Sequence, residues 1–143
     1  MQKNILALDL GKGSLGMAIS RSGILVTPLE NLRFKATHYE EAIKGIKKVM
    51  GEENVELFVI GYPLFPSGDP CEMTPVVEEF IKMLNASFPS LQVIKVDERN
   101  STVEAASMMR DSGLKAKKQK GRIDSGAAMI ILERYLRSIG QIS

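Results

Sequence analysis

The chain has 143 residues, 44% of them hydrophobic and 25% charged, enough for a single domain over 1–143 with its own core. A net charge of +2 does not by itself mark a nucleic-acid binder, and the longest strongly apolar run, AAMIIL at 127–132, is far below the roughly 18 residues a membrane span needs. With one cysteine, Cys71, and one histidine, His38, an internal disulfide and a Cys/His zinc cluster are excluded, so any metal must be held by oxygen.

Residues 4–10 (NILALDL) read as a buried strand. Residues 15–21 and 24–29 read as two more, separated by the Ser22-Gly23 turn signal and connected tightly enough to be antiparallel. Thr37-x-x-Glu40 is a capping-box pattern opening a helix to about residue 50, with Ala42, Ile43, Ile46, Val49 and Met50 on one face. A short strand at 56–61 follows. Val76, Val77, Phe80, Ile81 and Leu84 then fall at helical spacing, and 91–98 is another strand. Ser101-x-x-Glu104 opens a further helix to about residue 112. Lys115, Lys117, Lys118, Lys120 and Arg122 put five cations into eight residues of a loop at 113–122, before a last helix from Ile123 to about Arg137. This order predicts an α/β fold: a mixed five-stranded sheet, three antiparallel strands then parallel ones, with helices on both faces.

Gly11-Lys12-Gly13-Ser14-Leu15-Gly16 matches the dinucleotide fingerprint G-x-G-x-x-G. That fingerprint needs a helix after the glycines, because the pyrophosphate sits on the helix N-terminus. Here MAISRSGILVTP follows, which is strand and turn, and no Gly-Lys-Ser/Thr ends the run as a P-loop would. The glycines fit a tight hairpin instead, with Gly11 and Gly13 supplying permissive backbone and Gly16 allowing close approach.

Asp9 then stands out, as an acid near the carboxyl end of a buried strand, where an unpaired carboxylate is costly. A carboxylate that only bonds turn amides would also fit. The strand at 91–97 ends in Asp97-Glu98-Arg99, and carboxyl ends of parallel strands share one edge of a sheet. Asp124 opens the last helix, and a ten-residue loop reaching up to about 33 Å can bring it to that edge. Three clustered carboxylates make sense with hard cations between them, and two Mg²⁺ or Mn²⁺ ions would suit hydrolysis of a phosphodiester. Arg99, Lys115, Lys117, Lys118, Lys120 and Arg122 would hold flanking phosphates, with Gly11 and Lys12 as further candidate substrate contacts. Asp69, in Ser-Gly-Asp-Pro, reads as a turn acid rather than a ligand.

Four segments, ALDLGKGSLGMAIS (7–20), VIGYPL (59–64), VDERNSTVEA (96–105) and KGRIDSGAAMIILERYL (120–136), resemble the YqgF (RuvX-like) family over nearly the whole chain. Its members carry the names pre-16S rRNA nuclease and, earlier, Holliday junction resolvase. The resemblance implies a ribonuclease H-like fold and carries the family's active-site acids onto Asp9, Glu98 and Asp124. It implies a divalent-metal nuclease acting on structured RNA in ribosomal RNA maturation, in the cytoplasm, with branched DNA as the alternative substrate. Ribosomal particles are further candidate partners, no membrane is expected, and the protein would be a monomer or homodimer. The chain departs from the family at Lys12-Gly13, at Phe65–Pro70 and at Asn100, which bears on substrate contacts more than on the acids. A non-catalytic nucleic-acid- or ribosome-binding module is the alternative from another class. Retention of three mutually repelling acids argues against it.

Overall fold

The computed structural model describes residues 4–21, 25–97 and 116–141, the side chains of the last segment from residue 126 onward. Its elements are β1 (Ile5–Leu10), β2 (Ser14–Ser20), β3 (Thr27–Pro28), β4 (Leu32–Arg33), α1 (Tyr39–Glu52), β5 (Leu57–Tyr62), α2 (Thr74–Ser87), β6 (Gln92–Asp97) and α3 (Ala116–Ser138). The predicted turn at Ser22-Gly23 and the helix opening at Ser101 lie outside the described residues.

One sheet organises these elements, in the order β3-β2-β1-β5-β6, with β4 also on β2. β2 runs antiparallel to β1, whereas β1, β5 and β6 are mutually parallel. The fold is the expected mixed α/β sheet. The predicted third strand at 24–29, however, is only the pair Thr27–Pro28, and an unpredicted pair, Leu32–Arg33, takes the same flank of β2. The backbone stays on β2 through Leu29, whose N–H donates to Met17 O at 2.9 Å, and pairs with it again at Leu32–Arg33.

Alternation along β1 sends Leu6, Leu8 and Leu10 to one face and Ile5, Ala7 and Asp9 to the other. The first face packs against Ala42, Ile43 and Ile46 of α1 and Val77, Phe80, Ile81 and Leu84 of α2. The second packs Ile5, Ala7, Ala18, Leu57 and Val59 against Ala128, Ile131, Leu132 and Leu136 of α3. Each large side chain buried this way contributes about 1.5–3 kcal/mol relative to exposure. Helices on both faces were expected, and the helical spacings at 42–50 and 76–84 predicted the faces that α1 and α2 bury.

Two local readings fail. The N-cap of α1 is His38, with no side-chain cap bond, and Thr37 sits at φ 69. Its N–H donates to Lys12 O at 2.9 Å, so this residue serves the β1–β2 turn rather than the helix. The basic run is not a loop either: α3 begins at Ala116 and carries Lys117, Lys118, Lys120 and Arg122 in its first turns. Lys, Gln, Ala and Arg are good helix formers, and one glycine, Gly121, costs only about 1 kcal/mol.

Ser20 is fully buried, and its Oγ has no hydrogen-bond partner among the described residues. An unmade bond at a buried hydroxyl costs about 1–3 kcal/mol. Ser20→Ala is therefore expected to raise the melting temperature by a few degrees in a thermal melt. A fall of similar size would show that the hydroxyl is satisfied in solution.

Candidate active site

On the α3 face, the sheet changes character towards the carboxyl ends of its parallel strands. Ile5 is level with Leu57, and Ala7 lies between Ala18 and Val59. Asp9 comes next. It pairs with Gly16 on β2, and carrying the Leu8–Ile60 register on by one residue sets it level with Gly61 on β5. Side chains thus shrink from isoleucine and leucine to alanine and then to glycine around a half-buried carboxylate. Gly61 pairs in turn with Val96 of β6, so the next side chain in that direction is two strands away, roughly 9–10 Å. Asp9 has space beside it that no β-carbon of either neighbouring strand occupies.

The turn after Asp9 is held from outside. Gly11 N–H donates to Ser14 O at 2.8 Å, Phe34 N–H to Gly13 O at 3.0 Å, and Thr37 N–H to Lys12 O. Gly11 and Gly13 were expected to supply permissive backbone, yet neither has a positive φ. A Cβ at Gly13 would stand 3.2 Å from Phe34 O, a tight contact that the 34–37 segment would have to ease by a few tenths of an ångström. Thr37 itself is a β-branched residue in the left-handed region, a strain of roughly 1–2 kcal/mol.

Lys12 Nζ pairs with Glu72 Oε1 at 2.6 Å, both side chains well exposed. The hydrogen bond and charge of Glu72 raise the Lys12 pKa, and Lys12 lowers that of Glu72. Lys12, expected to contact substrate, thus clips the first turn to the 63–73 segment that follows β5. Glu72 was not found from sequence, since nothing local relates positions 60 residues apart. Asp69 is a turn acid, as expected: its Oδ2 accepts a bond from Ser67 Oγ at 3.0 Å.

β6 ends at Asp97 on the same edge as the carboxyl end of β1. Ile94 and Val96 belong to the α3-facing cluster, and Val93 packs on the opposite core. Arg134 Nη1 donates to Asp97 O at 2.7 Å, tying α3 to this edge. Glu98, Arg99 and Lys115 lie outside the described residues. Asp124 falls in the third turn of α3, not the first as expected, because the helix starts earlier. Helical period places position 124 on the stripe of Ala128 and Ile131, which packs on the sheet. The side chains of Lys117, Lys118, Lys120, Arg122 and Asp124 are not among those described. Among the described residues no three His, Cys, Asp or Glu are grouped to hold a metal ion, and no helix is long and apolar enough to cross a membrane.

Residues 3–138 match the family model RuvX, described as a Holliday junction resolvase. A protein of Mycoplasmopsis pulmonis named "Putative pre-16S rRNA nuclease" is 37% identical over 135 residues, covering 93% of this chain and 92% of its own. One of the same name from Chlorobium phaeobacteroides is 36% identical over 142 residues, covering 96% and 94%. Among solved structures, T. thermophilus RuvC in complex with Holliday junction substrate superposes with a TM-score of 0.56 at 13% identity, covering 96% of this chain and 97% of that one. That likeness concerns the fold, which is ribonuclease H-like as expected. Family match and near-full-length relatives agree, and the chain belongs to the RuvX family of nucleases.

Proposed function

We propose that this protein hydrolyses phosphodiester bonds of structured RNA with divalent metal, processing the 5′ end of pre-16S ribosomal RNA in the cytoplasm. The observation that carries this reading is Asp9: a half-buried carboxylate at the carboxyl end of β1, with glycine on both adjacent strands. An oxygen donor flanked on both neighbouring strands by glycine fits a hard cation. Asp9, Glu98 and Asp124 would hold Mg²⁺ or Mn²⁺. When bound, such an ion lowers the pKa of water and neutralises charge on the phosphoryl oxygens.

Two features support joining the other acids to Asp9. Glu98 is the next residue after β6, which ends on the Asp9 edge. Along α3, large residues at 136, 132 and 131 give way to Ala128 one turn after position 124, the same order of sizes seen on the sheet from Ile5 to Ala7 to Asp9. The two gradients interlock when the amino-terminal half of α3 lies over the carboxyl end of β1. Arg99 and the cations at 115–122 then hold flanking phosphates, and Lys12 can exchange its exposed Glu72 partner for a phosphate, since such pairs contribute little.

The test is cleavage of precursor 16S RNA and of a four-way DNA junction with Mg²⁺, Mn²⁺ or EDTA. Metal-dependent cutting of the RNA is expected. Preference for the junction would replace the substrate, and inertness on both would sink the reading. Neutralising Lys115, Lys117, Lys118 and Lys120 together is expected to weaken RNA binding and flatten its logarithmic salt slope by up to about 3.5, at roughly 0.7–0.9 per phosphate contact. An unchanged slope would assign these lysines to solvation.

A further inference from the structure

Three large hydrophobic residues are exposed among those described, and one of them, Phe65, lies just beyond the carboxyl end of β5 at 54% exposure. Phe65 is four residues past Gly61, the β5 position level with Asp9. Its Cα is therefore within about 14 Å of that position along the chain, a distance of a few nucleotides. The segment that carries it is firmly built. Leu64 bridges Pro70, Phe65 N–H donates to Asp69 O at 2.9 Å, and Gly68 N–H donates to Phe65 O at 2.8 Å. Gly68 adopts φ 93, where glycine is needed, and prolines at 63, 66 and 70 restrict the remainder.

Both ends of the segment are anchored. Thr74, nearly fully buried, donates from Oγ1 to Pro63 O at 2.6 Å and accepts from Cys71 N–H at 2.8 Å. Glu72, in the same segment, faces Lys12 of the turn directly after Asp9, an exposed pair that adds little to this anchoring. An exposed aromatic ring costs solvation, and a flexible loop would let it fold down onto the protein. Here the backbone is fixed and the ring stays in solvent. An exposed ring on an anchored backbone, within reach of the proposed site for a polyanion, suits a π-faced ligand that leaves its own stack.

We propose that Phe65 is a stacking platform for an unpaired base of the nucleic-acid substrate, setting which phosphate reaches Asp9. This rests on the nuclease reading above. Stacking of a base on an aromatic side chain is sequence-tolerant and largely insensitive to salt, unlike the contacts of the lysines. Phe65 is thus a positioning residue.

The chain has no tryptophan, so Phe65→Trp introduces a single tryptophan, excited apart from the tyrosines, at the proposed contact. The probes are an RNA stem with a single-stranded 5′ extension and a four-way DNA junction, bound in Mg²⁺ by chains that also carry Asp9→Asn. Trp emission should be quenched on binding. Phe65→Ala and Phe65→Leu should weaken binding by roughly 5- to 150-fold, the worth of one stacked base, without changing the salt slope, and Phe65→Tyr should retain it. In chains with Asp9 intact, Phe65→Ala should blur the cleavage position, whereas Phe65→Trp should keep it. Normal binding and cleavage by Phe65→Ala, with unquenched Trp emission, would overturn the stacking role and leave the nuclease standing. A wild-type chain that neither binds nor cuts either probe overturns both.

Discussion

Asp9→Asn is expected to cut phosphodiester cleavage on the order of a thousandfold or more while the protein stays folded. Asparagine is nearly isosteric, so the space between Gly16 and Gly61 is filled as before. What is lost is the negative charge, and with it the strongest oxygen donor for a hard cation. With Glu98 and Asp124 beside it as proposed, removing one of several like charges also relieves repulsion, so the melting temperature should hold or rise slightly. Single-turnover cleavage of precursor RNA, beside circular dichroism and a thermal melt, separates these effects. Undiminished cleavage by the Asn variant would mean that Asp9 is a turn residue and that the chemistry lies elsewhere.

The largest expected effect on stability is at Phe58, the second residue of β5. Its ring is fully buried on the α1/α2 side and meets Phe88 at 5.3 Å between centroids. β5 stands between β1 and β6 and pairs with both. Truncating this side chain removes core contacts on the strand that keeps the two acid-bearing ends in register. Phe58→Ala should cost about 3–5 kcal/mol, a large part of the roughly 5–15 kcal/mol that holds such a domain together. The melting temperature should drop by about 10–20 °C. At low temperature, activity per folded molecule should be largely kept, since Phe58 lies on the face opposite Asp9. A melt within a degree or two of wild type would show that the core around β5 collapses to fill the space.

Much of this was legible because period and burial coincide. α1 and α2 repeat their apolar residues at helical spacing, so their faces could be read directly, and β1 and β5 stood out as short apolar runs of strand length. Asp9 was legible for the opposite reason, as a charge in an apolar strand. β4 escaped because two residues have no period. The amino-terminal half of α3 escaped because Lys117, Lys118, Gln119 and Lys120 present no apolar stripe, although their helix propensity was there to be read. At Thr37 a genuine capping pattern was overridden by a long-range bond to Lys12, and local sequence cannot report such a contact. Phe65 was noticed as a departure from the family pattern, but its exposure on an anchored turn needed the structure.

The interrupted flank of β2 bears on how this protein behaves when crowded. Sheet edges invite neighbouring chains to add strands, and long, flat edges are the worst offenders. On this side an incoming strand would meet two residues, a gap, then two more, with Pro28 offering no donor in the first pair. Such a rim cannot template an intermolecular ladder, so that margin of the sheet is protected against fibre-like growth by the same irregularity that hid it from the sequence.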